Sequence, residues 1–190
     1  MLLLYSRNPL PTLETSRLIL RPFNLTDETA QAAIWAKPEV VRFFQPEGEK
    51  SVREAARNAR FFCRIWTERG ATGGIVPFAV VERASNRLIG HLGVTIHEDF
   101  KQPALTLFLN SIAWGQGYAT EGASAALTFS FKKWAFREVI ATVMTENVAS
   151  HQVMQKLGFQ PMGLHHQWGK VVTLYELTRE QWLESNGIHQ

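Results

Sequence analysis

A glycine-bearing turn, Trp114-Gly115-Gln116-Gly117-Tyr118-Ala119-Thr120-Glu121-Gly122, separates two runs of opposite periodicity. Residues 105–109 are apolar and β-favouring and read as a buried strand. Ala119, Ala123, Leu127 and Phe131 recur at every fourth position, which sets one apolar helical face over residues 119–131. The chain must therefore turn a strand into a helix across two glycines. The first turn of a helix leaves backbone N–H groups without acceptors, and the helix dipole adds partial positive charge there. Glycines clear the side chains that would keep a phosphate or pyrophosphate away. A lone Gly-x-Gly also occurs in plain tight connections, so the corner needs support from the rest of the chain.

Taken in order, residues 1–12 carry Pro9 and Pro11 and read as a loose arm. Residues 15–23 alternate and read as one strand. Asn24 or Thr26 caps a helix reaching Trp35, and Pro38 opens a short helical piece. Pro46-Glu47-Gly48 is a turn, and Ser51 with Glu54 forms a capping box for a helix to Arg69. Residues 77–81 and 88–96 form an antiparallel hairpin, with Gly90 and Gly93 marking a bulge or a close neighbour. His97-Glu98-Asp99 begins a polar link to the strand at 105–109. Residues 138–144 alternate again, and a strand–helix–strand crossover makes this strand parallel to 105–109. Asn147 opens a helix over 148–156 that stops at Gly158-Phe159. Strands at 160–166 and 170–177 complete the sheet.

The 190 residues suit a single domain, 1–190, and contain no repeat or linker. With 45% hydrophobic and 19% charged residues the composition is globular. A net charge of +3 suits an anionic cofactor but is too small to imply nucleic acid. Cys63 is the only cysteine and is expected to be a buried, inert thiol, so no disulfide is expected. Met1-Leu2-Leu3-Leu4 is too short for a signal core, and no stretch reaches the roughly 20 apolar residues of a membrane span. The expected location is cytoplasmic, with no membrane partner. His165 and His166 have no ligand partners at metal-binding spacing, so no metal is expected.

Three stretches in this order resemble the GCN5-related N-acetyltransferase (GNAT) superfamily, and within it the RimJ/RimL-like branch. They are LETSRLILRPF at 13–23, WGQGYATEG at 114–122 and ENVASHQVMQKLGF at 146–159. The resemblance implies an α/β (α+β) GNAT fold: a mixed, mostly antiparallel sheet of about seven strands, flanked by helices. That sheet splays between its fourth and fifth strands, here 105–109 and 138–144. The cofactor it implies is acetyl-CoA, whose pantetheine arm lies in the gap. The implied cofactor contacts are Leu109, Asn110, Trp114, Gly115, Gln116, Gly117, Tyr118, Ala119, Thr120, Asn147 and Ser150. The acceptor it implies is an amine, either a protein N-terminus or a small molecule, and a homodimer is compatible with it.

The sequence departs from that pattern at Ile112, where the wider family carries Gln or Arg, and at Ala104, often a carboxylate. The tyrosine that other members use as general acid has no counterpart between His151 and Phe159. The branch resemblance implies Ser150 as a candidate acid for the leaving thiolate, and Glu98, with Asp99 after the strand bordering the cleft, is the candidate base. Glu121 in the first helical turn reads as structural. The 51–69 helix and the loop before it are expected to wall the acceptor site. Two rival readings stand beside this one. A non-catalytic acyl-CoA-binding or regulatory module fits the missing tyrosine. A dinucleotide site is disfavoured, because Thr120 occupies the place of the third glycine.

Overall fold

The computed structural model describes residues 8–43, 52–97, 99–167 and 169–188. One mixed sheet runs through it in the order β1-β2-β3-β4-β5-β6-β8-β7. The strands are β1 (Leu13–Glu14), β2 (Leu18–Arg21), β3 (Phe78–Glu82), β4 (Arg87–Ile96), β5 (Pro103–Leu109), β6 (Glu138–Met144), β7 (Gln160–Gln167) and β8 (Lys170–Thr178). The helices are α1 (Glu28–Trp35), α2 (Pro38–Val41), α3 (Val52–Ala71), α4 (Tyr118–Phe129), α5 (Val148–Lys156) and α6 (Arg179–Ser185).

The eighth strand arises at the start. The strand expected over 15–23 is confined to Leu18–Arg21, because the chain reverses at 15–17. Thr15 N–H donates to the Leu18 carbonyl at 3.0 Å and Leu18 N–H returns to Thr15 Oγ1 at 2.9 Å. The two-residue β1 then pairs antiparallel with β2. Asn24, rather than Thr26, caps the next segment: its side chain accepts from Thr26 N–H while Asp27 reaches back to Asn24 N–H. The Pro46-Glu47-Gly48 turn and Ser51 lie outside the described residues.

Helices cover both faces. On one face Leu127 of α4, Phe131 just after it, Met154 of α5 and Phe159 just after it pack with Val139, Ala141, Tyr175 and Leu177. On the other, α1 and α3 bury Ile34, Trp35 and Ala59 against Phe108 of β5. Each fully buried large apolar side chain contributes roughly 1.5–3 kcal/mol. Cys63 is buried as expected, and desolvation pushes its thiol up to about 11.

One polar pair is sealed under α1 and α3. His91 of β4 is fully buried, stacks on Phe108 at 5.3 Å and lies 2.7 Å from Gln31 Nε2 through Nδ1. Burial alone drives its pKa down to about 3. The unfolded imidazole titrates near 6.5, so between these two values the unfolded chain binds more protons than the native one. Stability is therefore present above pH 6.5 and falls as pH drops through that window. The expected slope from this one site is about 1.4 kcal/mol per pH unit. Urea denaturation at pH 6.0 and 5.0 should show that slope in the native protein and its loss in His91→Phe.

The central feature is the β5–β6 contact. β4 pairs with β5 over the whole strand, from Gly90 with Leu109 to Ile96 with Pro103. On its other edge β5 meets β6 in parallel at a single rung, Ala104 with Ile140. Gln102 Nε2 donates to Glu138 Oε1 at 2.9 Å beside that rung. Beyond it the two strands separate, and the sheet is open between them.

Candidate active site

A cleft of about 430 Å³ fills this opening. Its floor and sides are residues 104–109 of β5 and 141–144 of β6, which beyond Ala104 are not paired with each other. The glycine corner stands at its mouth. Gly115 and Gly117 both have positive φ, +72° and +81°. Gly117 is the residue before α4, and the first helical acceptor bond runs from Glu121 N–H to the Gly117 carbonyl at 3.0 Å. Among the described residues, the amides of 115–120 find no acceptor within the protein. Successive amides on left-handed glycines make a concave donor surface suited to an anion. A Cβ built on Gly115 would meet nothing within 4 Å, so that side of the corner is open.

Leu109, Trp114, Gly115, Gly117, Tyr118, Ala119 and Thr120 line the cleft, as do Asn147 and Ser150 across from them. Asn147 caps α5 by accepting from Ser150 N–H at 3.2 Å, and Ser150 itself lines the cleft at the helix start. Two expected contacts are not on the wall. The Asn110 side chain caps the short helical turn at 111–113 and accepts from Lys37 Nζ at 2.8 Å. The Gln116 side chain donates to the Ile112 carbonyl at 2.8 Å. Both side chains serve the loop's own architecture. Tyr118 presents its backbone, since its hydroxyl turns away to Glu82 at 2.7 Å. Trp114 Nε1 donates to the Leu109 carbonyl at 2.8 Å and so satisfies the last oxygen of β5.

The wall expected from α3 is built differently. No described residue of α3 lines it. α3 instead packs its apolar stripe against α1 and β4, and the wall comes from α2 through Glu39, Val40 and then Phe43. α2 is tied to the corner because Ser111 Oγ donates to Glu39 Oε1 at 2.8 Å. The Glu39 carboxyl lies below its ordinary range, held there by its own backbone amide and by Ser111.

The link after β4 crosses to the β7–β8 hairpin. Gln167 Nε2 lies 2.7 Å from His97 Nε2 and 3.3 Å from Asp99 Oδ2, and Phe100 meets His165 edge-on at 6.0 Å. His97, Gln167, Thr95 and Thr106 also line the cleft. Sequence reading placed no role on His97 or Gln167, because their pairing spans 70 residues. Glu98 lies outside the described residues. Among the described residues Lys156 is the one lysine or arginine on the cleft wall, and it sits on α5. No group of metal-binding side chains occurs among the described residues. No helix of the described residues is long and apolar enough to cross a membrane.

The acetyltransferase (GNAT) domain model matches residues 17–160, most of the chain. The protein belongs to the GNAT acetyltransferase family. It is similar to the uncharacterized N-acetyltransferase YoaA of Bacillus subtilis, 28% identical over 161 residues, covering 83% of this chain and 88% of that protein. It is also similar to an FsC-acetyl coenzyme A-N(2)-transacetylase of Aspergillus fumigatus, 28% identical over 188 residues, covering 91% and 78%. Among solved structures, a GNAT-family acetyltransferase from Bacillus anthracis superposes with a TM-score of 0.74 at 24% identity, covering 89% of this chain and 99% of that one. RimJ of Mycobacterium smegmatis, in complex with CoA-disulfide, superposes with a TM-score of 0.70 at 21% identity, covering 90% and 89%. These superpositions establish a GNAT fold.

Proposed function

We propose that this GNAT protein is an N-acetyltransferase that moves an acetyl group from acetyl-CoA to an amine, by direct attack with both substrates bound. The observation that carries this is the pairing of an open sheet seam with unpartnered amides at its mouth. The residues present fit the cofactor. The amides of 115–120 suit its diphosphate, and the free edges of β5 and β6 suit its amide-bearing arm. Lys156 offers a cation on the same wall. Bound acetyl-CoA supplies a thioester, an activated acyl donor for a neutral amine.

The chain's own contribution is position and proton handling. The cleft walls bring donor and acceptor together, which can supply several kcal/mol of the barrier. Ser150 lines the cleft, which supports its hydroxyl as the proton source for the departing sulfur. Glu98 keeps its role as a candidate base for the amine proton, with Asp99 and His97 beside it. Apart from Lys156, the described residues that line the cleft include no lysine or arginine, which suits an acceptor that arrives as an ammonium ion. Acceptors named for similar folds include spermidine and the alanine of a ribosomal protein, so a small amine and a protein N-terminus both merit testing. The RimJ superposition and the LETSRLILRPF opening support the RimJ/RimL-like branch.

The test is an acceptor screen that follows thiol release from acetyl-CoA over polyamines, amino acids and peptides with free N-termini. Amine-dependent release supports the reading. CoA binding without release on any amine would support a non-catalytic acyl-CoA-binding module instead. Ser150→Ala should then lower kcat about a hundredfold, within the range for a general acid. Its melting temperature should hardly move, because the Asn147 cap bonds the Ser150 backbone and not its hydroxyl. Wild-type kcat in Ser150→Ala would remove the acid role.

A further inference from the structure

The reversal between β1 and β2 presses against the back of the glycine corner. Arg17 Nη1 donates to the Gln116 carbonyl oxygen at 2.8 Å. Its Nε donates to Glu121 Oε2 at 2.7 Å, and its Nη2 lies 2.6 Å from the same oxygen. The guanidinium carbon sits 4.6 Å from the centre of the Tyr118 ring. Glu121 Oε1 accepts from Thr15 Oγ1 at 2.6 Å, Ser16 Oγ at 3.0 Å and Arg17 N–H at 2.9 Å. Burial pushes the Glu121 carboxyl up, but these donors outweigh it and hold it at about 2. The carboxylate is thus committed to the β1–β2 turn and turned away from the cleft.

The bond to Gln116 has a stereochemical result. A trans peptide unit points its C=O and its N–H in opposite directions. The Gln116 carbonyl and the Gly117 N–H belong to one such unit. With the carbonyl held back toward Arg17, the Gly117 N–H must face the other way, and Gly117 lines the cleft. Nothing intrinsic to Gly115-Gln116-Gly117 fixes that orientation, since glycine visits both signs of φ readily. A flip of this one peptide would aim a carbonyl oxygen at the place where the anion sits.

We propose that Arg17, braced by Glu121, is a positioning residue that holds the Gln116–Gly117 peptide so that its N–H meets the diphosphate of CoA. This rests on the acetyl-CoA reading of the cleft and adds a residue from the opposite end of the chain to it. Arg17 does not line the cleft and acts through the loop.

The experiment measures binding of CoA by calorimetry, and of S-acetylpantetheine, which lacks the diphosphate, by NMR titration. Arg17→Met keeps the aliphatic stem over Tyr118 and removes all three donors; Arg17→Lys retains one cation. The expected result is a CoA affinity about tenfold weaker in Arg17→Met, partly restored in Arg17→Lys, with S-acetylpantetheine binding unchanged. CoA affinity unchanged in Arg17→Met overturns the proposal. Equal weakening of both ligands also overturns it, since that reports general damage and not a lost diphosphate donor. Glu121→Gln, which weakens the brace but leaves Arg17 in place, should fall between wild type and Arg17→Met; a CoA affinity below that of Arg17→Met would assign the effect to α4 instead. A wild-type protein that binds neither ligand would sink the acetyl-CoA reading itself, whereas tight wild-type binding with an indifferent Arg17→Met sinks only the clamp.

Discussion

Gly117→Glu is expected to raise KM for acetyl-CoA about thirtyfold and to leave kcat within about twofold. Gly117 lines the cleft immediately before α4, where amides without acceptors gather. A carboxylate there would share the corner with the diphosphate. Two like charges about 4 Å apart near a protein surface repel by about 4 kcal/mol. Arg17, whose Nη2 lies 3.4 Å from the position of a Cβ on Gly117, would offset part of that by attracting the new side chain. A net loss of about 2 kcal/mol corresponds to the thirtyfold change. Gly117→Ala is the control: it carries the strain of φ +81°, about 1–2 kcal/mol, but no charge. Initial rates at saturating amine separate the two. An unchanged KM in Gly117→Glu would remove the diphosphate from this corner.

The second large effect is on stability. Gly90→Ala is expected to cost about 3 kcal/mol or more and to lower the melting temperature by roughly 6–12 °C. Gly90 sits at φ +147°, and a Cβ there would fall 2.1 Å from the Phe108 carbonyl oxygen and 2.8 Å from the Leu109 Cα. These contacts are backbone, so no side chain can swing aside. β4 and β5 would have to part where they pair Gly90 with Leu109. Phe108 and Leu109 also line the cleft, so cofactor affinity should fall with stability. A thermal melt and a CoA titration check both, and a wild-type melting temperature would show that β4 yields without cost.

The local signals in the chain were readable because they are local. β6 and α5 fall on the residues that alternation and the Asn147 cap indicate. The end of α5 also follows: Phe159 N–H donates to the Met154 carbonyl and Gly158 N–H to that of Gln155, each at 3.0 Å. The bulge marked by Gly90 appears as a register shift opposite Val80 and Val81. What escaped was set by partners far along the chain. The break between β1 and β2 is held by Glu121, more than a hundred residues away. α2 walls the cleft because Ser111 reaches Glu39 across 72 residues. Asn110 and Gln116 flank residues that line the cleft, yet their side chains fold back into loop bonds that no spacing rule reveals. α6 was missed despite a local signal, the capping box of Thr178 and Gln181.

The solitary rung between Ala104 and Ile140 has a mechanical meaning. Five strands lie on one side of it and three on the other. The two blocks share one rung where ordinary sheets share several. A guest molecule spanning the seam takes over the duty of the absent rungs, so occupancy and cohesion become one quantity. Heat resistance should climb with the concentration of added CoA, and the protein should be most fragile with the seam empty.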